Sequence, residues 1–191
     1  VTDSSDAYEQ HAKTFLETRD VSAVGSNIVE QWCKKIPARA CGLELGCGGG
    51  YPITQLLDAA DFKLWAIDSS PTLVAAFESR FPQIPVRCER VQESDFFGLR
   101  FDFVVSVGLL FLLDESDQEK LTRDVAKVLL PGGRWLLTAP VETGDWVDAL
   151  SGIHCMSLGT ERYHQLFNNA GFKLEAQYVD HGENNYYDLV L

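Results

Sequence analysis

Few residues have types and spacing that promise chemistry, and most of them lie in two short segments. Glu44-Leu45-Gly46-Cys47-Gly48-Gly49-Gly50 sets an acid two residues ahead of glycines at 46, 48 and 50. Glycines at alternate positions let the chain turn tightly and let a ligand approach the backbone, with the amides of a following helix facing it. Such a loop alone is compatible with several nucleotide ligands. The dinucleotide pattern Gly-x-Gly-x-x-Gly fails, because counting from Gly46 puts Tyr51 at the sixth position. Asp68 closes the apolar run 63–67 and stands 18 residues after Gly50. A carboxylate there can accept two hydrogen bonds from a ribose diol. It can equally be a helix cap, but loop and acid together at this spacing point to a nucleoside ligand.

Stepping outward, apolar patterning places short strands at 41–45, 63–67, 86–88, 101–107 and 134–138. Between them lie helical periods, such as Leu73, Phe77 and Phe81, or Leu121, Val125, Val128 and Leu129. Ser69-Ser70-Pro71 supplies a cap and an N-terminal proline for the second of these helices. Pro131-Gly132-Gly133 is read as the end of the helix before the fifth strand. Strands alternating with helices imply right-handed crossovers and a parallel sheet covered on both faces. The C-terminal end breaks that rhythm. Runs 172–179 and 186–191 are separated by too few residues for a crossover helix, so they are expected to pair as an antiparallel hairpin after a helix at 160–170.

Composition bounds the rest. The 191 residues, 46% hydrophobic, suffice for one sizeable core, so a single domain spanning 1–191 is expected. Sixteen Lys+Arg against 28 Asp+Glu give a formal charge of −12, a field that opposes general binding to nucleic acid. The five cysteines show no Cys-x-x-Cys or Cys/His ligand spacing, which implies reduced thiols and no metal site. With no signal-peptide pattern and no apolar stretch long enough to span a bilayer, a cytoplasmic protein without membrane contact is expected.

In these features the chain resembles, over nearly its whole length, the class I S-adenosylmethionine-dependent methyltransferases. Residues 44–50 look like that family's first motif and Asp68 like its ribose acid. Phe101-Asp102-Phe103-Val104-Val105-Ser106 is similar to its fourth-strand motif, and Leu129-Leu130-Pro131-Gly132-Gly133-Arg134 to its turn before strand five. The resemblance implies a Rossmann-like, doubly wound, seven-stranded, mostly parallel sheet with a C-terminal antiparallel hairpin strand. It implies S-adenosylmethionine as cofactor and S-adenosylhomocysteine as product. Gly46, Cys47, Gly48 and Gly50 would face the methionine portion, and Glu44 would order the loop or the amino group. Asp68 and Ser69 would hold the ribose, and Ser106 would end strand four beside the cofactor. The family often places an acid at the adenine. Gapless counting puts Arg90 there, with Glu89 one residue earlier, and leaves recognition to the Val91 amide and the Gln92 side chain. Residues 1–25 would form a lid, with Tyr8, His11, Phe15 and Arg19 at helical spacing. Ring faces at Tyr8, Phe15 and Trp146 could favour a sulfonium, although Phe15 reads rather as core.

Methyl transfer from a sulfonium needs mainly placement and exclusion of water, with a base only where the acceptor must lose a proton. His154 is the candidate base, because it sits in the long non-repetitive insertion 139–159 on the expected substrate side. His164 falls in a helical stretch, His181 in a turn, and Cys155 reads as packing. After strand four the chain reads Ser106-Val107-Gly108-Leu109-Leu110-Phe111, where nucleic-acid amino methyltransferases of this fold commonly carry Asn/Asp-Pro-Pro-aromatic. Together with the acidic charge, this leads to the expectation of methyl transfer to O, N or S of a small, partly apolar molecule, with no nucleic acid as partner. The alternatives are a non-catalytic or partner-dependent cofactor-binding module and, further off, an aminopropyltransferase.

Overall fold

The computed structural model describes residues 4–148 and 152–191, with side chains described from residue 9 onward. Two helices, α1 (Ser4–Asp20) and α2 (Ser26–Cys33), precede the first strand. The order then runs β1 (Cys41–Leu45), α3 (Ile53–Ala59), β2 (Lys63–Asp68), α4 (Pro71–Arg80), β3 (Val86–Cys88) and β4 (Phe101–Ser106). After these come α5 (Glu115–Val128), β5 (Leu129–Thr138), β6 (Thr143–Val147), β7 (His154–Leu158), α6 (Gly159–Asn169), β8 (Lys173–Val179) and β9 (Asn185–Val190). A seven-stranded sheet has the order β3-β2-β1-β4-β5-β9-β8. Its first five strands are parallel, and β9 pairs antiparallel with both β5 and β8. This is the Rossmann-like methyltransferase fold. The strand order reverses between β1 and β4, and the crevice outside their carboxyl ends is where ligands of such sheets bind.

Strand alternation divides the core. Val104, Trp135 and Leu137 face the layer of α5 and α6, where Leu121, Val125, Tyr163 and Phe167 are buried. Phe103, Val105 and Leu136, one residue out of phase, face α2, α3 and α4 through Trp32, Leu57 and Phe77. The central strands are therefore buried on both faces and mostly apolar, with Glu44, Asp68 and Ser106 as buried polar exceptions. Helix α4 starts as its sequence predicts: Pro71 opens it, and the Leu73 amide donates to Ser70 Oγ at 3.2 Å.

Two elements differ from expectation. Pro131-Gly132-Gly133 does not end α5. Leu129 already takes extended angles and pairs with Phe101, and the next partners are Phe103 and Arg134. The three residues thus form an excursion within β5. The insertion after β5, expected as a long non-repetitive stretch with no element assigned, holds a second, two-stranded sheet of β6 and β7. Every β6 residue is exposed, so no inward-outward alternation of hydrophobes announces it. Among the described residues, no helix is long and apolar enough to cross a membrane.

Candidate functional site

The glycine loop turns back from β1 onto the end of β2. The Gly46 and Cys47 amides donate to the Ile67 carbonyl at 2.8 and 3.2 Å. Gly48 takes φ +55°, a left-handed angle, and a Cβ there would sit 3.1 Å from Phe15 Cε1. Its amide donates to Asp68 Oδ2 at 2.8 Å, and the Ser70 amide donates to Oδ1 at 2.9 Å. Asp68 therefore clamps the loop to the start of α4. An ionised carboxylate has about four acceptor sites. These amides do not fill them all, which leaves acceptor capacity for hydroxyls in the adjoining cavity. Burial raises the Asp68 carboxyl above its ordinary value, against the opposing amides of Ser70, Gly48 and Ser69.

Glu44 lies beneath the loop and does not line the cavity. Its Oε2 accepts from Thr54 Oγ1 at 2.6 Å, a contact with α3 that the motif does not announce. Burial pushes the Glu44 carboxyl up to about 8; the Thr54 hydrogen bond and the Arg19 charge oppose the rise, and Asp68 adds to it. The folded pKa thus lies above the ordinary 4.5. The contribution is full below the unfolded pKa and lost as pH rises through the folded one. Between pH 4.5 and about 8, this carboxyl should therefore progressively weaken the cofactor-free fold. Denaturant titrations across that window are expected to show a flatter pH dependence for Glu44→Gln than for wild type. Parallel curves would contradict the buried, protonated state.

Helix α1 is fastened over this region by charged contacts. Glu9 accepts from the hydroxyls of Ser70 and Thr72, and from the Thr72 amide at 3.1 Å, at the head of α4. These bonds hold its carboxyl below the ordinary range. Arg80 donates through Nη1 to the Gly49 carbonyl and to Asp20 Oδ1, both at 2.9 Å. Phe15, read from sequence as core, is half-buried and lines the cavity over Gly48. Glu9, Thr54 and Arg80 were not legible as site residues, because each partner is distant in sequence.

The cavity, of about 270 Å³, extends from this loop across the crevice. Gly46, Gly48, Asp68 and Ser69 line one end, and residues 89–92 one side. Opposite are Val107, Gly108, Leu109, Phe111, Leu112 and Leu113, with Thr138, Asp148, Asn184 and Tyr186 closing the wall. Gly46, Gly48, Asp68, Ser69, Val91 and Gln92 are thus brought together. The Gln92 amide is engaged, donating Nε2 to Asp117 Oδ2 at 2.9 Å, and Glu89 accepts from Ser94 Oγ. Both Glu89 and Arg90 reach the cavity wall.

Other expected residues sit elsewhere. Cys47 is buried with its thiol toward the Gly48 carbonyl at 3.6 Å, and burial raises that thiol well above the ordinary range. Gly50 closes the turn through its amide to the Cys47 carbonyl at 3.0 Å, and a Cβ there would meet Phe81 at 2.3 Å. Ser106 is fully buried and accepts from Trp135 Nε1 at 2.9 Å, so its hydroxyl ties β4 to β5. The side chain of Tyr8 lies outside the described residues. Trp146 is not in the wall but beyond it, its ring 5.7 Å from that of Phe111.

His154 is also outside the cavity. Cys155 next to it is buried against the inner face of the β6–β7 hairpin, and alternation turns His154 outward. Its side chain is 57% exposed, with Nε2 3.5 Å from Asp145 Oδ1. No chemical step is assigned to it here. Asp148, at the end of β6, is the acid that the hairpin contributes to the wall. With no strand assigned to 139–159 from sequence, neither placement could be read, since strand phase decides which side chains face inward.

With this geometry, a glycine loop and strand-end acid at the switch point of a mostly parallel sheet closed by an antiparallel strand, the class of fold is defined. It is the fold of the class I S-adenosylmethionine-dependent methyltransferases. Residues 43–133 match the family described as Methyltransferase domain. A solved S-adenosylmethionine-dependent methyltransferase from Clostridium acetobutylicum superposes with TM-score 0.74 at 15% identity, covering 96% of this chain and 98% of that one. The glycopeptide N-methyltransferase MtfA complexed with S-adenosylmethionine does so with TM-score 0.71 at 18% identity, covering 90% and 96%. Among curated proteins, a tRNA U34 carboxymethyltransferase of Idiomarina loihiensis is 25% identical over 135 residues, 66% of this chain and 38% of that protein. The chain thus spans well under half the length of this relative.

The relatives' name corrects one expectation. A small-molecule acceptor and the exclusion of nucleic acid do not stand beside relatives named for a tRNA nucleotide. Net charge describes the long-range field, whereas an unpaired base is recognised locally by stacking and hydrogen bonds. The missing Asn/Asp-Pro-Pro-aromatic motif speaks only to amino acceptors, and uridine has no exocyclic amine.

Proposed function

We propose that this chain transfers a methyl group from S-adenosylmethionine to an unpaired base of tRNA. One observation carries the reading: a single cavity joins the Gly48–Asp68 donor end to an apolar, aromatic mouth at 107–113. The tRNA acceptor is taken from the curated relatives.

When bound, the cofactor supplies a methyl group already activated on a sulfonium. The residues present fit it. The open face of Gly48 is a cradle that any Cβ would crowd against Phe15, and Asp68 has acceptor capacity for a ribose. The chain's own task is then placement. Asp68 would orient the ribose, the side-chain-free face of the glycine loop would border the amino-acid portion, and the Val91 backbone would border the adenine. Leu109, Leu112 and Leu113 keep water from the transfer zone, which strengthens the electrostatics there. Among the described lining residues the carboxylates are Asp68, Glu89 and Asp148. The first two stand on the donor side, so Asp148 is assigned the proton that the acceptor gives up.

The test uses methyl-labelled S-adenosylmethionine with undermodified total tRNA. Label is expected in RNase-sensitive material, and Asp148→Asn is expected to lower kcat while leaving the affinity for S-adenosylmethionine in place. Label that never enters RNA, with the cofactor demonstrably bound, would overturn the acceptor assignment.

A further inference from the structure

The insertion after β5 presents a pair of aromatic rings whose position the donor site does not explain. The inner face of the β6–β7 hairpin rests on the turn after β4: Ile153 and Cys155 are buried, packed by Phe111 and Leu112. Trp146 pairs in register with Cys155 and so shares that inner face. Yet its indole is not covered. The residue is 37% exposed, and Val141 and Val147 nearby are 42% and 64% exposed. The Trp146 and Phe111 rings lie 5.7 Å apart at 40°, and Phe111 belongs to the cavity wall. One ring therefore faces the cavity and its neighbour faces solvent at the rim. The remaining tryptophans are better covered: Trp32 and Trp135 are fully buried, and Trp65 is partly buried against Phe101.

A planar, apolar surface continuous with the transfer zone suits a flat heteroaromatic ring. Stacking tolerates any base, because every base presents a π-face to an aromatic ring. We propose that Phe111 and Trp146 form the platform on which the acceptor base stacks, with Trp146 holding the base or its neighbour at the rim and Phe111 directing it inward. This rests on the tRNA reading above and assigns the residues that would receive the base.

The experiment compares wild type, Trp146→Ala, Trp146→Phe and Phe111→Ala. Cofactor affinity is measured by calorimetry, and kcat and KM for tRNA by label incorporation. Stacking on an aromatic ring is worth roughly 1–3 kcal/mol per base, so KM for tRNA is expected to rise about 10-fold or more in Trp146→Ala. Affinity for the cofactor should stay the same, and Trp146→Phe should recover most of the loss. Phe111→Ala should depress kcat as well, because it reaches the cavity. Quenching of indole fluorescence by an RNA stem-loop, absent in Trp146→Phe, reads the contact without turnover. Unchanged KM in Trp146→Ala, with wild type modifying tRNA, would overturn the platform while leaving the tRNA reading intact. Wild type that neither binds nor modifies RNA, while still binding cofactor, would overturn the tRNA reading and the platform with it.

Discussion

Gly48→Val is expected to abolish measurable binding of S-adenosylmethionine, and Asp68→Ala to weaken it by about 10- to 100-fold. The first result follows from backbone and space together. Gly48 holds φ +55°, which a β-branched residue adopts only under strain, and its Cβ position is already 3.1 Å from Phe15 Cε1. A valine there must move the loop or Phe15, and either disturbs the surface on which the cofactor lies. The second follows from hydrogen bonding, since bonds to a charged acceptor contribute roughly 1.5–3 kcal/mol, or about one to two powers of ten. Asp68→Ala also frees the Gly48 amide, so the loop loses its clamp. Equilibrium dialysis with labelled cofactor reads both. Thermal melts and the milder Gly48→Ala, expected to bind weakly, separate a lost site from a lost fold. Wild-type affinity in both variants would place the donor elsewhere.

The largest stability effect is expected far from the cavity, at Asp188. This carboxylate is fully buried in β9 and accepts from Trp32 Nε1 at 2.9 Å and from Arg134 Nη2 at 2.8 Å. Lys35 Nζ and the Tyr178 hydroxyl complete its shell at 3.2 and 3.1 Å. One side chain thus ties α2, β5 and β8 to β9. Burial alone would raise its pKa, but the hydrogen bonds of Arg134 and Trp32, with the Arg134 charge and Lys35, hold it below the ordinary value. A depressed folded pKa contributes stability above the unfolded pKa, and that contribution is lost as pH falls through the folded value. Asp188→Ala leaves Arg134 and the buried indole N–H without their acceptor. Breaking such a pair from one side costs roughly 3–5 kcal/mol, so Tm should fall by on the order of 10 °C. Asp188→Asn should fall less, because it keeps an acceptor for Trp32. A loss under about 0.5 kcal/mol, the ordinary surface range, would show that the network adds nothing net.

The parts of this molecule that were legible before its structure share a physical cause. β1, β2 and β4 are covered on both faces, so Leu43, Ile67, Phe103 and Val104 are apolar whichever face they take. Ser70-Pro71 encodes its cap locally, and the short link after β8 excluded a crossover. Gly48 and Asp68 were visible because their chemistry depends on residue type at a strand end. What escaped notice depends on partners distant in sequence or on strand phase. Thr54 meets Glu44 across 10 positions, Glu9 meets Thr72 across 63, and Trp32 meets Asp188 across 156. No local pattern marks those pairs. In Thr143-Gly144-Asp145-Trp146-Val147 every residue is exposed, so the hairpin left no hydrophobic period. The strand phase that turns His154 outward and Cys155 inward is set by that hairpin.

The central claim is that the cavity between the Gly48–Asp68 clamp and the turn after β4 holds S-adenosylmethionine. Calorimetric titration of S-adenosylhomocysteine into the wild-type protein tests it most directly, since the demethylated product can engage the same donor contacts without turnover. The account predicts saturable one-to-one binding that S-adenosylmethionine competes away and that Gly48→Val eliminates. No heat of binding, or the same isotherm in Gly48→Val, would contradict it.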